Sequence, residues 1–242
     1  MSLKVDLKKN LKGFTLNISF EVQNEVAVLF GPSGSGKSMT LNSIAGLFNP
    51  DRGRISLGEK IFFEEGNKQL PPQKRRLGYI FQNHSLFPHM TVEENILFGG
   101  REIEKEKRQE KCYEFLKKFN LNDLAKKMPR EISGGQAQRV ALARALIGEP
   151  EALLLDEPFS ALDTPTRVSI GQCLSDVFRE LSIPVIFVTH DIYEACAMAD
   201  KMIILHDGEI LQVGTPQEVY QHPLNELVHK LVRLDRHLEF RR

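Results

Sequence analysis

Three stretches of this 242-residue chain hold residues whose types and spacing could handle phosphate. Gly31-Pro32-Ser33-Gly34-Ser35-Gly36-Lys37-Ser38 follows the apolar run 26–30 and leads into Met39–Ala45, which reads as a helix. Glycines at this spacing let successive backbone N–H groups turn inward around phosphate oxygens, and a helix N-terminus adds a favourable dipole. The binding set therefore runs from Gly31 to Met39. Lys37 is set to bridge β- and γ-phosphates, and the Ser38 hydroxyl to ligate Mg²⁺.

Ala152-Leu153-Leu154-Leu155-Asp156-Glu157 supplies a second half, because a carboxylate at the C-terminal end of a buried strand lands beside such a loop. Asp156 is expected to hold Mg²⁺ through water and Glu157 to polarise an attacking water. Alone, Asp-Glu-Pro after a strand also reads as a helix start; the loop upstream supplies the missing context. The third stretch, Ser133-Gly134-Gly135-Gln136, opens a helix running to Leu146, with Ser133 as N-cap and exposed amides aimed outward. By itself this is equally a capped helix. Yet the chain then holds two phosphate-binding helix starts, and one ATP has a single γ-phosphate. The economical solution is a head-to-tail dimer in which each Ser133 helix closes over the nucleotide on the partner's Lys37 loop.

The elements that must position these residues are readable as an α/β chain. The continuously apolar runs at 26–30, 152–155 and 185–188 suit parallel strands covered on both faces, and they form a central sheet. Phe14, Leu16, Ile18 and Phe20 alternate with polar residues, the pattern of a strand with one buried face in an opening antiparallel layer. Arg54–Leu57 and Lys60–Phe63, joined through Gly58-Glu59, predict a further hairpin, and Asp207-Gly208 joins 202–205 to 209–213 in another. Thr215-Pro216-Gln217-Glu218 predicts a capped helix start. Residues 90–150 turn helical, with a Glu/Lys-rich segment at 101–118. The expected organisation is a core with its antiparallel β layer over 1–88 and 148–218, an inserted α-helical subdomain over 89–147, and a short helical tail over 219–242.

Lys plus Arg and Asp plus Glu both total 32, so no global positive field attracts nucleic acid, and phosphate binding must be local. The three cysteines are scattered, without the pairing of a disulfide framework or a zinc site. No apolar run approaches the ~20 residues of a membrane span, and the N-terminus does not read as an export signal.

With these motifs in place the sequence resembles ABC-transporter ATPases, P-loop NTPases of the ABC-ATPase cassette type, over nearly its whole length. The resemblance implies that Gln82, in Tyr79-Ile80-Phe81-Gln82, is the Q-loop glutamine that contacts Mg²⁺ and senses a permease. It makes Ser160–Asp163 the D-loop crossing the dimer interface, and His190 the switch histidine on the γ-phosphate. Relatives stack an aromatic on adenine from the N-terminal strands. The candidates here are Phe14 and Leu11, and Phe14 equally fits the buried face of its strand. The segment 72–95 is similar to bacterial importer ATPases, in which Leu86-Phe87-Pro88-His89 lies near the groove for a permease coupling helix. The nearest wording is that of molybdate and tungstate importers, with sulfate, ferric-ion and polyamine systems as near relatives. The resemblance thus implies Mg-dependent ATP hydrolysis on the cytoplasmic face of a membrane. Its partners would be a second copy, transmembrane permease subunits and, indirectly, a solute-binding protein.

Rival readings fare worse. A chromosome-maintenance ATPase needs a long heptad arm, and the roughly 50 residues between Gln82 and Ser133 leave no room for one. A ribosome-binding factor would carry two cassettes and a basic linker. A soluble phosphotransferase accounts for Lys37 but not for Ser133, Gln82 and His190 together. Residues 219–242 suggest at most two short helices, so an oxyanion-sensing pocket on this subunit is not expected.

Overall fold

Strand formation follows the apolar pattern. The computed structural model describes residues 1–67, 69–82, 86–160 and 164–233. Among the described residues, ten strands form one mixed sheet: β1 (Leu3–Leu11), β2 (Phe14–Val22), β3 (Val26–Phe30), β4 (Arg52–Leu57), β5 (Lys60–Glu64), β6 (Leu77–Ile80), β7 (Ala152–Asp156), β8 (Val185–Thr189), β9 (Lys201–His206) and β10 (Glu209–Gly214). Their order is β5-β4-β1-β2-β10-β9-β3-β8-β7-β6. The run from β9 through β3, β8 and β7 to β6 is parallel, whereas β2, β1, β4 and β5 pair antiparallel.

The parallel strands are buried on both faces because each feeds two cores. On β3, Val26, Val28 and Phe30 enter one apolar cluster and Ala27 and Leu29 the other; on β7, Leu153 and Leu155 part from Ala152 and Leu154 in the same way. The first core takes in helices α2 (Val92–Gly99), α3 (Lys105–Lys118), α4 (Gly134–Leu146), α5 (Thr164–Glu180) and α6 (Ile192–Met198). The second lies between the antiparallel strands and α1 (Lys37–Ala45). Helices α7 (Pro216–Gln221) and α8 (Glu226–Val232) follow the last strand. No helix among the described residues is long and apolar enough to cross a membrane.

Local chemistry sets several boundaries. Asp207 and Gly208 both adopt positive φ (46° and 78°), as the Asp-Gly turn between β9 and β10 requires. A Cβ on Gly208 would sit 2.0 Å from the Thr15 carbonyl oxygen, so only glycine fits against β2. The loop helix begins at Lys37, two residues before the expected Met39, because Gly36 at φ 104° is its N-cap. The Glu/Lys-rich helix starts at Lys105 instead of 101. Helix α2 begins in a capping box between Thr91 and Glu94. The expectations for Asp163 and for 234–242 fall outside the described residues.

Candidate functional site

The loop after β3 has its shape because glycine is needed there. A Cβ on Gly31 would come within 2.0 Å of the Leu205 carbonyl oxygen, and one on Gly36 within 2.7 Å of Leu16 Cδ1. Gly34 turns at φ 83° with open space beside it, and Ser33 and Gly34 form the exposed crest. The base of the loop is held from outside: the Gly208 N–H donates to the Ser35 carbonyl at 3.1 Å. The Asp-Gly turn was legible in the sequence, but this second task was not.

Lys37 is 5% exposed, and its ammonium donates to the Gly31 and Pro32 carbonyls, both at 2.8 Å. Burial lowers its pKa, while the carboxylates of Glu157 and Asp156 act in the other direction. The loop helix and β7 meet at Ser38, whose hydroxyl donates to Asp156 Oδ1 at 2.9 Å across 118 residues of sequence. Burial pushes the Asp156 carboxyl up, and the Ser38 hydroxyl opposes that shift.

Glu157 occupies a left-handed conformation (φ 45°), unusual for a side chain of its size. Its N–H is held by the Val188 carbonyl of β8 at 3.1 Å, and its carbonyl accepts the Ser160 N–H and hydroxyl. Two of the expected site residues converge on its carboxylate. Gln82 Nε2 donates to Oε2 at 3.1 Å, and His190 Nδ1 lies 3.7 Å from Oε1. Behind them a small cavity of about 80 Å³ opens between Glu157, Ser160, Thr189 and Glu194. One chain thus brings together Lys37, Ser38, Asp156, Glu157, Gln82 and His190.

Among the described residues, no three His, Cys, Asp or Glu are grouped to hold a metal. One carboxylate beside one hydroxyl still suits Mg²⁺, which is usually held by one or two protein ligands plus water and substrate phosphates. Phe14 retains both of its readings: it packs with Leu16 against the second core, and its Cζ lies 3.3 Å from the place of a Gly36 Cβ. Leu11 is 40% exposed at the end of β1. Met39 packs against the second core.

Ser133 lies elsewhere. Its hydroxyl accepts the Gln136 N–H at 3.3 Å and Gln136 Oε1 accepts the Ser133 N–H at 2.8 Å, a capping box that opens α4. This leaves the Gly134 and Gly135 N–H groups without a bond to any described residue, but only Gly134 is exposed: Gly135 is buried, so the exposure expected of both does not hold for it. Helix α4 packs mainly on α2, β6 and α5. Gly135 is required by that packing, because a Cβ would lie 2.5 Å from Thr166 Cγ2. Phe87 packs on Phe98 with ring centroids 4.3 Å apart and planes tilted by 51°, and both line a groove of about 550 Å³ with Phe81, Arg101 and Arg144.

Comparison with known proteins agrees with this geometry. The sequence profile of the ABC transporter family matches residues 15–160. A molybdate/tungstate import ATP-binding protein from Archaeoglobus fulgidus is 40% identical over 96% of this chain and 94% of its own. A probable sulfate/thiosulfate import ATP-binding protein from Chlorella vulgaris is 43% identical over 90% of this chain and 91% of its own. A spermidine/putrescine import ATP-binding protein from Nitratidesulfovibrio vulgaris is also 43% identical, over 89% of this chain but only 58% of its own. Among solved structures, a dimeric post-hydrolysis state of an ATP-binding cassette bound to ADP and Pi aligns with TM-score 0.76 and 31% identity, covering 89% of this chain and 99% of that one. With a mixed sheet, an antiparallel layer and the helices inserted between β6 and β7, the chain belongs to the ABC transporter family and is built as its P-loop ATPase cassette.

Proposed function

We propose that the chain hydrolyses ATP to ADP and phosphate as the nucleotide-binding subunit of an importer, working as a head-to-tail dimer on the cytoplasmic face of a membrane permease. The observation that carries this reading is the convergence of Gln82 and His190 on Glu157 beside the Ser38–Asp156 pair. Gly31 to Ser38 cradle the phosphates, with Lys37 shifting from its loop carbonyls to the β- and γ-oxygens. Ser38, Asp156 and Gln82 would hold Mg²⁺, which would supply neutralisation of the charge on the phosphates. Glu157 orients the attacking water and takes its proton, while His190 meets the γ-phosphate. The unbonded amides at Gly134 and Gly135, with Ser133 and Gln136, complete the partner's site, and Asp163 lies at that interface. Phe14 contributes whatever stacking the adenine receives.

Residues 89–147 act as the subdomain that faces the permease, through the groove beside Leu86–His89. For the solute we favour a molybdate- or tungstate-type oxyanion delivered by a solute-binding protein. The support is the wording of 72–95 and the relatives named for oxyanion import. Phosphate release from Mg-ATP, abolished by chelation, tests the enzymatic reading. Uptake by vesicles carrying the chain with its permease tests the solute: molybdate or tungstate is expected, and preference for sulfate, a polyamine or ferric ion would overturn that choice alone.

A further inference from the structure

The imidazole of His190 is 64% exposed, so its position depends on the backbone that carries it. Thr189 ends β8 at 3% exposure. Its hydroxyl donates to Glu194 Oε2 at 2.5 Å and accepts the Asp191 N–H at 3.0 Å. Asp191 Oδ1 accepts the N–H groups of Tyr193 at 2.8 Å and Glu194 at 3.4 Å, while Oδ2 accepts from Arg167 Nη1 at 3.4 Å. Arg167 Nε also lies 3.9 Å from Glu194 Oε1. Residues 189, 191 and 194 are thus closed into a ring around residue 190 by a cation from another helix, α5.

The Glu194 side chain is 12% exposed. Burial raises its carboxyl pKa and the Asp191 charge adds to the rise, while the Thr189 hydroxyl and the charges of Arg167 and His190 oppose it. A carboxylate kept this far from water is costly unless it is hydrogen-bonded and paired. Its two partners are the residue immediately before His190 and the helix that follows Ser160–Asp163.

We propose that Glu194 and Arg167 are positioning residues for His190, fixing the backbone on both sides of it and tying its placement to α5. The inference rests on the proposed role of His190. Because α5 starts at Thr164, directly after the segment assigned to the dimer interface, the ring links that interface to the switch side chain. Neither residue needs to reach the nucleotide; both act through the 189–191 backbone.

A double-mutant cycle on the purified chain with Mg-ATP tests this. Glu194→Gln keeps the shape and an acceptor for Thr189 but removes the charge opposite Arg167. It should lower kcat about tenfold with KM for ATP within about twofold. In a His190→Ala background the same change should add nothing further, because no imidazole remains to be placed. Thr189→Val should match Glu194→Gln, and Thr189→Ser, which restores the hydroxyl, should recover turnover. Wild-type turnover in Glu194→Gln, or its full loss added on top of His190→Ala, would overturn the positioning role. Near-normal turnover of His190→Ala alone would remove the role of His190 and the inference with it, a result distinguishable because it appears before Glu194 is touched.

Discussion

The Lys37 loop and the Ser133 helix start are both built to meet phosphate, yet the fold treats them in opposite ways. Around Lys37 every support comes from within the chain: two loop carbonyls hold the ammonium, Asp156 takes the Ser38 hydroxyl, and Gly208 braces Ser35. At Ser133 the capping box satisfies its own two N–H groups and stops, leaving the glycine amides with no described partner. The first region is a receptacle assembled by folding. The second is a presented surface whose counterpart, in the account proposed here, belongs to another copy. Substitutions in the two regions should therefore fail differently.

The largest effect is expected from Lys37→Ala. Removing a buried cation that faces phosphate charge should weaken ATP binding by on the order of 10³-fold, in line with the cost of breaking a buried charged pair. Calorimetry on the single chain reads this directly, and unchanged affinity would dissolve the distinction between the regions. Glu157→Gln should come next: turnover drops by about 10²-fold or more while ATP still binds. Size exclusion with ATP should then show this variant as a dimer, since the closed state is no longer consumed. Adding Ser133→Arg to it should leave ATP affinity within about twofold but abolish the dimer. A dimer that persists would place the Ser133 surface outside the interface. The smallest effect belongs to Gly208→Ala, which strains a left-handed turn pressed on Thr15 by roughly 1–3 kcal/mol. Thermal melting should register that loss, together with a few-fold drop in ATP affinity transmitted through Ser35.

Legibility in the sequence followed the same divide. The parallel strands announced themselves as unbroken apolar runs, and the loop, Asp156 and Glu157 sit at their C-terminal ends, where residue type and spacing point to the chemistry; His190, just past β8, took its role from the family resemblance. Phe14 stayed ambiguous for a physical reason: one ring both continues the buried face of β2 and approaches Gly36. Arg167 and Glu194 were not singled out, because their meaning lies in a contact between α5 and α6 and neither sits in a motif of its own. The Thr91–Glu94 capping box was present in the sequence, but within 90–150 only the 101–118 segment and the Ser133 helix start were distinguished.

Complementation between two inactive chains tests the composite site most directly. A Lys37→Ala chain retains an intact Ser133 helix, and a Ser133→Ala chain, which loses the hydroxyl but adds no bulk at the interface, retains an intact Lys37 loop. If each site is shared across a two-fold dimer, mixing them creates one intact site per mixed dimer, and phosphate release should recover to roughly a quarter of the wild-type rate under random pairing. Activity of the mixture no greater than the sum of the separate variants would show that each chain works alone and would contradict the account.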